Sequence, residues 1–122
     1  MKGLDAACKI VILANHVMGT QFRLRDVKPL AGVDGVTPSR ISSAKAKGMA
    51  LRLVARAAKS LSVAPTEVDE GSPLAARGRS HAVVFHCRHS GERTIMGAGA
   101  GSVTTSLGVL RDLISLAGGT VA

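Results

Sequence analysis

The apolar residues near the start of the chain recur around nearly the whole circumference of a helix spanning residues 4–18. A helix of this kind is normally buried on most of its surface. At about 100° per residue, Asp5, Lys9 and His16 fall within about 40° of one another, so they form one narrow polar stripe. Gly19 then provides a natural C-terminal stop. The pattern therefore predicts a largely buried helix that carries a single polar stripe.

The next segment predicts a short strand and a second helix. The pattern of apolar and polar residues at positions 22–27 predicts a short strand. Thr37, followed by a proline, is a typical helix start, because its side chain caps free N–H groups and proline suits the first helical position. Val36 and Ile41 have the spacing of a hydrophobic staple. We expect this helix to run to about Gly48.

Residues 49–57 alternate in a way that indicates a half-buried strand, with Met49, Leu51, Leu53 and Ala55 on one face and Arg52, Val54 and Arg56 on the other. Residues 61–68 continue as another strand, in which Pro65 predicts an edge position or an interruption, since proline cannot donate to a strand ladder. A single helical turn is expected at residues 72–75.

The last part of the chain predicts a hairpin and a helix. Residues 81–88 and 94–96 flank Ser90-Gly91, which is a good hairpin signal. A final helix is expected over residues 103–116. The order of elements predicts an α+β fold in a single domain, with a mixed, largely antiparallel sheet and helices packed on one face. The length of 122 residues also suits one domain.

Composition excludes several protein classes. With 46% hydrophobic and 20% charged residues, the chain is neither disordered nor collagen-like. Two cysteines, Cys8 and Cys87, are too few for a disulfide scaffold and fit a reducing cytoplasm, although a disulfide between them stays open. The chain contains no apolar stretch long enough to span a membrane, so we expect no membrane partner.

The net charge of +8 first suggests a nucleic-acid partner. The basic residues are scattered, however, and the only aromatic residues are Phe22 and Phe85, which leaves no platform for stacking bases. We therefore expect no nucleic-acid partner. A solvated basic surface or a site for anionic metabolites explains the charge better.

Two groups of residues are candidates for chemistry. Asp5 and Lys9 have the spacing of a helical ion pair, which is ordinary on a polar surface. On an apolar helix, a partly buried lysine held by an adjacent carboxylate could exchange protons near neutrality, and the carboxylate could bind a substrate amino group. Glycines 97, 99 and 101 precede the final helix, where backbone can approach a ligand closely. An independent dinucleotide site is disfavoured, because Ser102 stands where the last glycine of the fingerprint belongs.

A metal site in the predicted hairpin is disfavoured. Its candidate ligands are His81, His86, Cys87 and His89, but neighbouring residues of a strand point to opposite faces. No second Cys or His pair stands at zinc-finger spacing. We therefore expect these side chains to lie on the hairpin surface.

The spacing Gly3-x-Asp5-x-x-x-Lys9, followed by Ile-Val-Ile-Leu-Ala-Asn, closely resembles the catalytic helix of homoserine dehydrogenases. Further landmarks follow in the order found in that family, at residues 26–28, 32–38, 52–55, 72–75, 82–85, 97–101 and 104–113. The resemblance thus covers nearly the whole chain, and its first and last motifs are the more specific ones.

This resemblance implies a substrate-binding and dimerisation domain over residues 1–122, in a cytoplasmic enzyme of threonine and methionine biosynthesis. The family interconverts homoserine and aspartate semialdehyde with NAD(P). Lys9 would be the catalytic proton donor and acceptor, Asp5 would bind the substrate amino group, and Gly101 would contact the cofactor. The chain opens almost directly in the predicted helix, which suggests that it begins within a two-domain active site.

The family's acidic segment and its NAD(P)-binding Rossmann domain precede the helix motif, and neither is seen in this sequence. We therefore expect that the chain does not bind NAD(P) by itself and is inactive alone. A homodimer is expected, with a nucleotide-binding domain in cis or in trans as a further partner. The alternative is a stand-alone, non-enzymatic dimeric scaffold with the same fold.

Overall fold

A computed structural model describes residues 3–99 and 101–119. These residues fall into two compact units, one ending at Ala75 and the other beginning at Ala76, and each is described by itself. The described residues include three α-helices, a three-stranded mixed sheet and a two-stranded antiparallel sheet. The predicted α+β class with a mixed, largely antiparallel sheet is therefore confirmed, while the extent of the functional domain over residues 1–122 stays a prediction.

The first unit contains two helices, three strands and two 3₁₀ turns. In chain order they are α1 (Leu4–Met18), a 3₁₀ turn (Leu24–Asp26), β1 (Val27–Leu30), α2 (Pro38–Ala46), β2 (Met49–Ala57), β3 (Leu61–Asp69) and a second 3₁₀ turn (Pro73–Ala75). The sheet order is β1-β3-β2, with β1 parallel and β2 antiparallel to β3. Helix α2 starts as predicted, because the Thr37 hydroxyl accepts a hydrogen bond from the Arg40 N–H at 3.3 Å.

The predicted strand over residues 22–27 is wrong. The Asp26 carboxylate accepts a hydrogen bond from the Arg23 N–H at 2.7 Å, and the Asp26 N–H donates to the Arg23 carbonyl at 2.9 Å. These local bonds compete with an extended backbone and close a 3₁₀ turn instead. The strand begins only at Val27.

The predicted edge position of Pro65 is also wrong, since β3 is the central strand of its sheet. Pro65 faces Leu53 of β2, while the pairing with β1 extends only from Leu61 to Val63. The Pro65 carbonyl accepts a hydrogen bond from the Arg40 guanidinium at 3.2 Å. The proline is tolerated because it lies beyond the end of β1, where no ladder bond is needed on that side.

The core of the first unit is small and lies mainly between α1 and the sheet. Ala7 and Ala14 of α1 pack with Val27, Leu61 and Val63, and Leu61 and Val63 are fully buried. On β2 and β3, the residues of this cluster alternate with Val54 and Val68. These two valines pack with Ala75 in a separate cluster, on the other face of the sheet, because successive residues of a strand point to opposite faces.

The expectation that α1 is buried over most of its surface is wrong. Only Ala7 and Ala14 are buried, whereas Leu4, Ile12 and Val17 are 53%, 67% and 53% exposed. One sheet face contacts one side of a helix, so Ala6, Ile10 and Val11 are only partly buried against the core, and the apolar residues farther round α1 are exposed.

The second unit contains the predicted hairpin and final helix. Its elements are β4 (Ser80–Cys87), β5 (Gly91–Ala98) and α3 (Ser102–Leu116). The strands pair in antiparallel register from Ser80↔Ala98 to Cys87↔Gly91, so β5 is longer than predicted. None of the described residues from 76 onward is buried. No helix in the described part of the chain is long and apolar enough to cross a membrane.

Candidate functional site

The structure brings Asp5 and Lys9 together on one side of α1. Asp5 Oδ2 lies 2.8 Å from Lys9 Nζ, one helical turn away, and the two side chains are 77% and 55% exposed. An exposed pair of this spacing contributes only about 0.3–0.5 kcal/mol to stability. The pair therefore contributes little to the stability of the fold, and both charged groups are accessible to other polar groups.

The partial burial of Lys9 considered from the sequence is not found in this chain. Next to the ion pair, α1 carries an apolar stripe formed by Leu4, Cys8 and Ile12, at intervals of four residues. Leu4 and Ile12 are more than half exposed, and Cys8 is an exposed free thiol. The charged pair thus borders an apolar surface that water covers in the isolated chain.

Both ends of α1 are fixed by local geometry. The helix begins after Gly3 and ends before Gly19, and both glycines have left-handed backbones, with φ of 73° and 64°. At the C-terminal end, Asn15 Oδ1 accepts a hydrogen bond from the Phe22 N–H at 2.8 Å, and Asn15 Nδ2 donates to the Phe22 carbonyl at 2.9 Å. The Thr20 hydroxyl donates to Asn15 Oδ1 as well. The chain that leaves the helix is therefore tied back to its last turn.

Gly101 belongs to the second unit, where it precedes the first residue of α3. Its φ of 140° and ψ of 148° are uncommon for residues with a side chain, and no side chain caps this helix start. A Cβ built on Gly101 would lie 3.7 Å from both Arg79 Nη1 and Thr104 Oγ1, which is an ordinary contact. The uncapped N–H groups and the neighbouring guanidinium make this corner suitable for an anion. Arg79 was missed in the sequence, because β4 separates it from the glycine segment.

Gly99 shows a close approach within the same corner. Its N–H donates to the Arg79 carbonyl at 2.8 Å, and a Cβ built on Gly99 would overlap the His81 ring. The glycine segment thus lies tightly against the start of β4. Ala100, between these glycines, lies outside the described residues.

The histidines of the hairpin form no metal-binding group in the structure. In the described ranges, no three His, Cys, Asp or Glu side chains converge on one point. His86 instead faces Glu92 across the hairpin, with Nδ1 and Oε2 3.6 Å apart, and both side chains are exposed. Cys87 is an exposed free thiol.

Comparison with known proteins gives one consistent result. The family model described as homoserine dehydrogenase matches residues 1–114. A homoserine dehydrogenase of Methanocaldococcus jannaschii is 35% identical over 95% of this chain and 34% of its own length. A protein of Pseudomonas canavaninivorans named NAD(+)-dependent homoserine dehydrogenase is 28% identical over 95% of this chain and 35% of its own length.

Solved structures agree with this result. A crystal structure of S. aureus homoserine dehydrogenase matches with a TM-score of 0.79 and 33% identity, over 95% of this chain and 31% of that chain. The chain thus spans about a third of the length of the curated relatives it matches.

Proposed function

Since the chain belongs to the homoserine dehydrogenase family, we propose that residues 1–122 form a substrate-binding and dimerisation domain for the interconversion of homoserine and aspartate semialdehyde. The observation that carries this proposal is the Asp5–Lys9 pair, which is 2.8 Å apart and exposed on α1. In this proposal, the reaction belongs to threonine and methionine biosynthesis, and the enzyme acts in a reducing cytoplasm.

Lys9 and Asp5 have separate roles in the proposed reaction. When homoserine is oxidised, its hydroxyl group loses a proton and the carbon that bears this hydroxyl loses a hydride. Lys9 Nζ accepts the proton, and in the reverse direction it returns the proton to the carbonyl oxygen. The Asp5 carboxylate binds the substrate ammonium group, which needs an anionic partner.

The NAD(P) cofactor is proposed to contact Gly101. The corner around this residue suits such a group, because it offers backbone without a Cβ, an uncapped helix start and the Arg79 guanidinium. When bound, a nicotinamide cofactor supplies the hydride acceptor. We propose that the chain alone does not bind the cofactor.

A further protein domain is proposed to complete the site. Hydride transfer needs a bound and oriented cofactor, and the chain spans about a third of its relatives. A nucleotide-binding domain, in cis or in trans, would supply the remainder, and a homodimer is the proposed assembly. The apolar stripe Leu4, Cys8 and Ile12 supports the need for a covering body, because covering it would exclude water beside the charged pair.

The proposal is tested with a chimera, in which this chain replaces the matching segment of the S. aureus enzyme. Homoserine-dependent formation of NAD(P)H is measured for the chimera and for the chain alone. We expect activity from the chimera and none from the chain alone. Lys9→Ala should reduce kcat of the chimera by about 10²-fold or more, because the proton acceptor is removed.

Lys45, an exposed lysine of α2, provides the matched control. Lys45→Ala should leave kcat unchanged, and Lys9→Ala should leave the melting temperature nearly unchanged, because its ion pair contributes little to stability. A folded, dimeric chimera without activity would contradict the proposed function and favour a non-enzymatic dimeric scaffold. An active Lys9→Ala chimera would remove Lys9 from its proposed role.

A further inference from the structure

The glycine that begins α1 is packed far more tightly than the glycine that ends it. Gly3 is buried, and a Cβ built on it would lie 3.1 Å from the Ala31 carbonyl oxygen and 3.2 Å from Val63 Cγ1. A Cβ built on Gly19 would meet nothing within 4 Å. Both residues have positive φ, so they share the backbone strain that a side chain would introduce. Only Gly3 also requires the space that its missing side chain leaves.

The two groups that press on Gly3 are themselves held in place. The Ala31 N–H donates to the Val63 carbonyl at 2.8 Å, directly after the pairing of β1 with β3. Val63 is fully buried in the core. A side chain at position 3 would therefore displace the start of α1 rather than the sheet.

Such a displacement would carry the charged pair with it. The Gly3 carbonyl accepts the hydrogen bond of the Ala7 N–H at 3.0 Å, so Gly3 is bonded into the first turn of the helix. Asp5 and Lys9 follow within two turns, and a helix transmits a shift of its first turn along its axis. The 2.8 Å distance within the pair is set by α1 alone. The place of the pair relative to β1 and β3 is set by the packing of α1 on the sheet, where Ala7 and Ala14 lie in the core and Gly3 makes the contact at the start of the helix.

We infer that Gly3 is a positioning residue for the reaction, because its contact with Ala31 and Val63 fixes the start of α1, next to Asp5, against the sheet. The inference rests on the proposed function. The contacts of 3.1 and 3.2 Å at Gly3 require a shift of a few tenths of an ångström. Since a misplacement of about 1 Å can reduce the rate of an enzyme about 10²-fold, a shift of this size should lower kcat several-fold.

The test compares three variants in the chimera described above. Gly3→Ala adds both backbone strain and the close contact. Gly3→Asn keeps the contact with less strain, since asparagine tolerates positive φ better than other residues with a side chain. Gly19→Ala adds strain of the same kind at the other end of the same helix, in open space. For each variant, kcat, the KM for homoserine and the melting temperature are measured.

We expect Gly3→Ala and Gly3→Asn to lower kcat by about 3- to 10-fold. Gly19→Ala should lower the melting temperature but keep kcat within about twofold of the parent chimera. If Gly3 has a merely structural role, the Gly3 variants would lower the melting temperature and leave kcat of the folded protein unchanged, which would overturn the inference.

Three outcomes for the folding and activity of the variants decide the remaining cases. If Gly3→Asn does not fold, Gly3 is needed for folding rather than for placement, and the inference is overturned. If the parent chimera is folded but inactive, the proposed function fails and the inference fails with it. An active parent chimera with fully active Gly3 variants overturns the inference alone.

Discussion

Leu61 and Val63 are the largest fully buried side chains of the first unit, and Leu61 is the larger of the two. It is fully buried and packs with Ala7, Ala14, Val27 and Val63, so it joins α1 to the sheet. Leu61→Ala removes apolar contact and leaves a cavity, and such replacements cost about 2.7–5.0 kcal/mol. Three of the neighbours lie on α1 or β1 and can close in partly, so we expect about 3 kcal/mol.

The matched control is Leu53→Ala on the neighbouring strand. Leu53 is 37% exposed, so its truncation opens no sealed cavity. The expected loss is about 1 kcal/mol, which reflects only the apolar area that was buried. Both variants carry the same chemical change, so the difference between them isolates the effect of burial.

Urea unfolding followed by far-UV circular dichroism measures both losses. The chain has no tryptophan and no tyrosine, so intrinsic fluorescence is not a suitable signal. At about 4–8 °C per kcal/mol, Leu61→Ala should lower the melting temperature by more than about 10 °C. Losses for the two variants that agree within about 0.5 kcal/mol would refute the reasoning that the α1–sheet core is the main source of stability.

Two other predictions concern regions outside this core. In the free chain, amides of β4, β5 and α3 should exchange hydrogen at least about 100-fold faster than those of β3, because no described residue from 76 onward is buried; equal protection by NMR would contradict this. Asn15→Ala should cost about 1–3 kcal/mol in urea unfolding, because it leaves the Phe22 N–H and carbonyl without their partner. Thr20→Val, which removes only one of the three hydrogen bonds, should cost less than half of that, and equal losses would count against the role of Asn15.

Elements that depend on local sequence could be predicted well. The range Met49–Ala57 follows from alternation alone, and the start of α2 follows from Thr37 because a cap involves only neighbouring residues. The errors had two sources, a local turn that was not recognised and the unknown extent of a neighbouring strand. Asp26 turned a predicted strand into a 3₁₀ turn through one side-chain bond, and Pro65 could lie in a central strand because β1 ends early.

The candidate site divides in the same way. The Asp5–Lys9 pair could be predicted because helical periodicity alone places the two residues side by side, and the structure confirms that contact. The exposure of the pair could not be predicted from α1 itself, since an apolar helix is buried only as far as other elements cover it. The close packing of Gly3 depends on Ala31 and Val63, which are distant in sequence and meet it only in the folded sheet.

The pairing of Asp5 with Lys9 and the placement of α1 on the sheet have different consequences for catalysis. The helix brings the Asp5 carboxylate and the Lys9 amine together at almost no cost. An exposed pair that contributes about 0.3–0.5 kcal/mol does not fix its own position relative to the sheet. Placement comes from the packing of α1 on the sheet, where Ala7 lies in the core with Val63 and the Gly3 backbone lies against the same valine. A variant of Lys9 therefore tests which group moves the proton, whereas a variant of Gly3 tests whether the fold holds that group where the substrate needs it.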